Sequence, residues 1–183
     1  MSPYRIAIVV GSLRRESYNK QLAAAVTKLA PSDFTFETLR IDDLPLYNQD
    51  DDASPAPQVT RLKDAIRAAA GVIFVTPEYN RSIPGVLKNA LDHASRPYGQ
   101  SAWAGKPAGV LGISVGQIGT AVAQQHLRGM LAYLDMPTLG QPEVFLQYKE
   151  GLFDAAGDIG EDSRVFLQGW MDRYVAWVRK HAG

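Results

Sequence analysis

Tyr4-Arg5-Ile6-Ala7-Ile8-Val9-Val10, followed by Gly11-Ser12-Leu13-Arg14-Arg15-Glu16-Ser17-Tyr18-Asn19, decides how this chain folds. The first seven residues are almost wholly apolar, which is the pattern of a strand buried on both faces. Gly11-Ser12 breaks the run. From Asn19 onward, Leu22, Val26 and Leu29 recur at helical spacing until Pro31-Ser32-Asp33 stops them. Strand, loop and helix, in that order, make the opening unit of an α/β domain.

Working outward, the same alternation repeats. Phe34 to Leu39 reads as a second strand, and the stretch through Asp50-Asp51-Asp52 to Pro57 as a long polar surface loop. Leu62, Ala65, Ile66 and Ala69 form a helical stripe ahead of the strand Val72 to Val75. Val86 to Ala94 suits a short helix and Gly109 to Ile113 a fourth buried strand. A helix bearing Leu127, Met130, Leu131 and Leu134 follows, and Val144-Phe145-Leu146 is the candidate fifth strand. Trp170, Tyr174, Trp177 and Val178 mark a final helix whose rings read as core rather than as a cofactor box. This order implies a parallel sheet covered by helices on both faces, wound by right-handed crossovers into one three-layer domain over residues 1–183. In such sheets ligands bind beyond the carboxyl ends of the strands. The loops at Gly11–Tyr18, Thr76–Gly85 and Ser114–Thr120 therefore carry the expectation of a site.

Composition narrows the function. Nineteen basic residues balance nineteen acidic ones in 183, so no net field draws the chain to nucleic acid or an anionic membrane. Cysteine is absent, which removes disulfides and every thiolate mechanism. His93, His126 and His181 lack metal-ligand spacing, and no metal is expected. The N-terminus does not read as a signal peptide, and no apolar run reaches the roughly eighteen residues a membrane span needs. A soluble, cytoplasmic protein is expected.

The first loop has the parts of a phosphate site: a glycine that lets the chain turn, N–H groups at a helix start, and short donors on Ser12, Ser17 and Asn19. Arg14 is the candidate charged contact. The plainer alternative is that Ser17 or Asn19 only caps the helix while both arginines face solvent. Neither a Walker ending nor G-x-G-x-x-G is present, so a mononucleotide such as FMN fits better than a dinucleotide. In the second loop Tyr79 offers a ring face and the backbone near Asn80 offers donors, or else the two prolines merely stiffen a turn. The glycines of the third loop allow close approach to a flavin, or simply tight packing.

Gly-Ser-Leu-Arg-x-x-Ser-x-Asn at Gly11–Asn19, Pro-Glu-Tyr-Asn from Pro77, and Ser-x-Pro-Gly-x-Leu-Lys-Asn-Ala ending at Ala90 resemble the NADPH-dependent FMN reductases. That family includes chromate, quinone and azo-dye reductases of bacteria. The resemblance spans nearly the whole chain. It implies a flavodoxin-like five-stranded parallel sheet in the order 2-1-3-4-5, and a homodimer or homotetramer. It also implies that Ser12, Arg14, Ser17 and Asn19 bind the FMN phosphate, while Pro77, Glu78, Tyr79, Asn80 and Ser82, with Ser114 and Gly116, line the ring. Two departures stand out: His93 where many members carry tryptophan, and Gly119-Thr120 where Gly-Gly is usual.

The expected activity is transfer of electrons from NADPH or NADH through FMN to a small-molecule acceptor, with ping-pong kinetics. Quinones, azo compounds, chromate, ferric complexes and free flavin are all candidate acceptors. No catalytic side chain is required, because the chemistry belongs to the cofactor. Two rivals remain open here. One is an FMN electron carrier without NAD(P)H turnover, against which the neutral charge argues; the other is a non-redox module for a phosphate ester.

Overall fold

A computed structural model describes residues 4–181. The opening run is strand β1 (Tyr4–Val10), flanked by β2 (Phe34–Thr38) and β3 (Gly71–Val75). Ile6 lies opposite Gly71 in one register, and Tyr4 opposite Phe34 in the other. With β4 (Ala108–Ser114) and β5 (Val144–Gln147), the strands form an all-parallel sheet in the order β2-β1-β3-β4-β5. This is the flavodoxin-like order the resemblance implied.

Strand alternation sorts the core into two layers. Ile6, Ile8, Val10, Ile73, Val75, Leu111 and Ile113 face one side. There they pack with helices α1 (Tyr18–Thr27) and α5 (Glu161–His181). Ala7, Val9, Val72, Phe74, Ala108 and Val110 face the other. They meet α2 (Pro57–Ala68), α3 (Gly85–Ala94) and α4 (Ala121–Tyr133). Of the expected rings of α5, Trp177 is half-buried against this layer and two are core: Trp170 and Tyr174 are buried and stack with centroids 5.5 Å apart. They lie against Gly109, where an added Cβ would come within 2.7 Å of the Tyr174 ring. Among the described residues the Tyr174 hydroxyl has no partner, and burial pushes its pKa well up.

The polar segment after β2 is more ordered than its composition suggested. It contains a short 3-10 helix at Gln49–Asp51, capped by Asn48. Two side chains of α3 hold it down. Asn89 accepts from the Tyr47 N–H at 2.8 Å and donates to the Pro45 carbonyl at 2.8 Å. His93, the first departure from the family pattern, places Nε2 2.8 Å from the same carbonyl and packs edge-on to Tyr47. Its role here is to fasten a loop.

Because all strands run one way, Val10, Val75 and Ser114 end at the same edge of the sheet. The three loops singled out in the sequence share that edge.

Candidate functional site

The first loop leaves β1 through Gly11, whose N–H donates to the Val75 carbonyl at 2.9 Å. A Cβ at Gly11 would meet Thr76 Oγ1 at 3.1 Å, so glycine keeps the first and second loops in contact. Ser12 and Ser17 are buried. Ser17 caps α1, accepting from the Lys20 N–H at 3.4 Å. The first turn of α1 carries no acidic residue. Among the described residues, the N–H groups of Tyr18 and Asn19 in that turn find no protein acceptor. Within that turn no acidic side chain opposes the positive end of the helix dipole.

Arg14 is exposed, its guanidinium 4.8 Å from the Tyr18 ring centroid and donating to the Glu16 carbonyl. Asn19 points the other way. It is buried, donates to the Ile113 carbonyl at 2.9 Å and accepts from the Ile113 N–H at 3.1 Å. Both ends of its amide are thus engaged in tying α1 to β4. Tyr18 stacks on Tyr148 at 3.9 Å, and the Tyr148 N–H donates to the Ser114 carbonyl at 2.8 Å.

The second loop is a tight hairpin. Tyr79 and Ser82 exchange backbone hydrogen bonds of 3.0 Å each. Between them Asn80 and Arg81 both adopt positive φ, 51° and 64°. That is the backbone of a type I′ turn, here built without glycine, and left-handed non-glycine residues are costly enough to cluster at functional sites. Side chains clamp the hairpin. Glu78, almost wholly buried, accepts from the Ala123 N–H at 3.0 Å and from Arg81 at 2.9 Å. Ser82 Oγ lies 3.1 Å from His126 Nδ1. Pro77 is buried and Thr76 Oγ1 donates to its carbonyl.

In the third loop Ser114 Oγ accepts from the Gly116 N–H at 3.2 Å, and Gly116 itself is exposed. Gly119 has φ 59°, and a Cβ there would stand 2.8 Å from the Phe145 carbonyl carbon. Thr120, the second departure from the family pattern, is fully buried and accepts from Gln124 Nε2 at 2.8 Å. Gln124 Nε2 also donates to the Val144 carbonyl, which joins the start of α4 to β5. Sequence reasoning missed this network, as it missed Glu78 capping α4 and His126 holding Ser82. Thr120 and Gln124 stand at helical i, i+4 spacing, but the Val144 carbonyl is a backbone group and the partners of Glu78 and Ser82 lie about forty residues away, so no local spacing signals those contacts.

The family model described as NADPH-dependent FMN reductase matches residues 4–151. The chain belongs to that family. This FMN reductase is 59% identical over 177 residues to a 2-hydroxy-1,4-benzoquinone reductase of Burkholderia sp., covering 96% of each chain. It is 49% identical to a quinone reductase of Pseudomonas putida, covering 96% of this chain and 95% of that one. Among solved structures, the flavoenzyme NAD(P)H:(acceptor) oxidoreductase FerB from Paracoccus denitrificans superimposes with a TM-score of 0.93 at 44% identity, over 97% of this chain and 98% of that one. The protein is therefore an NAD(P)H-dependent oxidoreductase with FMN as cofactor.

The residues present fit FMN. The acid-free helix start, buried serine hydroxyls and Arg14 suit a terminal phosphate. Leu13, Tyr79, Val115 and Ile118 are all at least 44% exposed and all lie in the three loops. Apolar groups left in water at one sheet edge suit a flat ring. Among the described residues no group of three or more His, Cys, Asp or Glu side chains is placed to hold a metal. No described helix is long and apolar enough to cross a membrane.

Proposed function

We propose that this FMN reductase passes electrons from NAD(P)H to small oxidised acceptors, quinones foremost, with donor and acceptor using one opening in turn. The observation that carries the reading is the pairing of two unlike surfaces at one edge. Free N–H donors, Ser12, Ser17 and Arg14 lie on one side, and the exposed apolar rim of Tyr79, Val115 and Ile118 on the other. Quinone reduction by the Burkholderia and Pseudomonas relatives supports the acceptor class. Azo compounds, chromate, ferric complexes and free flavin belong to the same proposal as alternative acceptors.

In this reading Ser12, Arg14 and Ser17 hold the phosphate, and Asn19 acts by fixing the start of α1 on β4. Pro77, Glu78, Tyr79, Asn80 and Ser82 shape one side of the ring slot, and Ser114 and Gly116 the other. FMN supplies the hydride and electron chemistry when bound. The protein binds it, orients it and keeps one face open to donor and acceptor. We place the enzyme in the cytoplasm, as one domain, assembled as a homodimer or homotetramer. A groove of about 590 Å³ between α3 and α4, lined by Leu91, Met130 and an 85% exposed Tyr133, supports a second copy on that face.

Anaerobic NADPH titration of the FMN-reconstituted protein tests the core of this proposal. Stoichiometric bleaching of the flavin band is expected, and a band that neither NADPH nor NADH bleaches would leave an electron carrier instead. Varied NADPH and quinone should give parallel double-reciprocal lines; intersecting lines would contradict alternate use of one opening. Light scattering reads the assembly, and a monomer would remove the oligomer proposal.

A further inference from the structure

Beside the first loop, on the side away from β3, lies a cavity of about 470 Å³. That is within the usual range for small-molecule sites. Its lining is mixed: Leu13, Leu39 and Ile41 are apolar, while Ser12, Lys20, Thr38, Arg40 and Asp42 are polar or charged. It sits beyond the carboxyl ends of β1 and β2 and shares Ser12 with the proposed phosphate loop. Apolar side chains together with two cations suit a purine ribonucleotide bearing an extra phosphate.

The charges decide which nucleotide. Asp43 is held by Arg61 through two hydrogen bonds of 2.9 and 2.8 Å. Asp42 accepts from Arg40 Nε at 2.9 Å, which leaves the two terminal nitrogens of Arg40 without a protein acceptor among the described residues. Lys20 forms no ion pair among the described residues and donates only to the Leu13 carbonyl at 3.3 Å. Among the lining residues, Lys20 and Arg40 outnumber Asp42 by one. A dianionic phosphate meets a net positive margin with unengaged donors, whereas the carboxylate a bare ribose diol would need, Asp42, is already paired with Arg40.

Resting on the flavin reading above, we propose that this cavity receives the adenosine end of NADPH, with Arg40 and Lys20 binding its 2′-phosphate and so setting preference over NADH. Arg40 is a specificity residue in this scheme and has no part in the redox chemistry.

Calorimetric titration of the FMN-loaded protein with 2′,5′-ADP and with 5′-AMP tests it. The bisphosphate should bind about tenfold or more tightly than AMP, the scale of one charge-assisted hydrogen bond. Arg40→Ala should abolish that difference, Arg40→Lys should restore most of it, and Lys20→Ala should reduce it in part. In turnover Arg40→Ala should raise KM for NADPH and leave kcat and the NADH parameters unchanged. Equal binding of the two nucleotides by the unsubstituted protein, or an Arg40→Ala variant that still distinguishes them, overturns the proposal. So does loss of FMN retention in a folded Arg40→Ala protein, since the cavity would then belong to the flavin phosphate. Repeating the titration without FMN separates the two readings. Failure to retain flavin counts against the flavin reading, while the nucleotide comparison still decides this one.

Discussion

The Gly11–Asn19 loop and the Thr76–Pro84 loop sit side by side on one sheet edge but use their polar groups in opposite ways. The first leaves donors unengaged: among the described residues two N–H groups of the opening helical turn lack protein acceptors, and the exposed Arg14 donates only to the Glu16 carbonyl. The second engages almost everything it has. Tyr79 and Ser82 pair through the backbone, Glu78 binds both Ala123 and Arg81, and Ser82 meets His126. A site for an anion must keep donors free, because the ligand completes them. A slot for a flat ring needs shape, and shape comes from internal bonds that hold two left-handed residues in place. Substitutions on the shaped side should therefore show up first in stability, and those on the open side first in ligand affinity.

The largest expected effect is on the shaped side. A Cβ at Gly112 would stand 2.2 Å from the Thr76 carbonyl oxygen and 2.4 Å from Thr120 Oγ1. Neither neighbour is a flexible chain end, so Gly112→Ala should cost about 3 kcal/mol and lower Tm by roughly 6–12 °C. Thermal unfolding of the FMN-free protein reads this directly. An unchanged Tm would mean the junction of loops is softer than the comparison holds.

Arg14→Ala should do the reverse. Loss of a charged phosphate contact should weaken FMN binding by about 1.5–3 kcal/mol, roughly 10- to 150-fold, while Tm without flavin stays put. Arg15→Ala should do much less. Equal flavin dissociation constants for the two variants would remove Arg14 from the phosphate.

Glu78→Gln falls between the two kinds. It keeps an acceptor for Ala123 but removes the charge at the α4 N-terminus and the pair with Arg81. About 1 kcal/mol of stability should go, with a several-fold loss of FMN affinity as the hairpin loosens. If affinity fell with no change in stability, Glu78 would be touching the flavin rather than holding the slot.

The contrast between the loops also explains what was legible in the sequence. The succession of strands and helices, a parallel sheet with helices on both faces, and the first loop followed from local signals: an unbroken apolar run at Tyr4–Val10, stripes at helical spacing, and a glycine ahead of a helix start; the strand order came with the family resemblance. The engaged groups were not legible in the same way. Asn19 reads as a phosphate donor because it sits at a helix start, yet its amide is taken by Ile113, brought there by the sheet. His93 and Thr120 look like altered site residues in a motif, and in the fold they fasten Pro45 and Gln124. Motifs place residues near a site; the tertiary partners that decide whether a side chain is free lie elsewhere in the chain.

The smallest effect concerns the charges next to the cavity beside the first loop, which are engaged with one another as the groups of the second loop are. Hydrogen bonds from Arg61 hold the Asp43 carboxyl below the ordinary carboxylate range, aided by the charges of Arg61 and Arg40 and opposed by burial. A depressed carboxyl binds fewer protons in the folded chain than in the unfolded one. Its stabilisation is thus complete above the ordinary carboxylate range and fades as pH falls through the folded value. Asp43→Asn should be slightly less stable than the unsubstituted protein at neutral pH, and the two Tm profiles should converge on acidification. The pair lies near the surface, where screening keeps such contributions small. Parallel profiles from neutral to acid pH would show that Arg61 and Asp43 are not paired in solution. Arg40 would then lose part of the carboxylate pairing that engages its Nε, which lies 3.6 Å from Asp43.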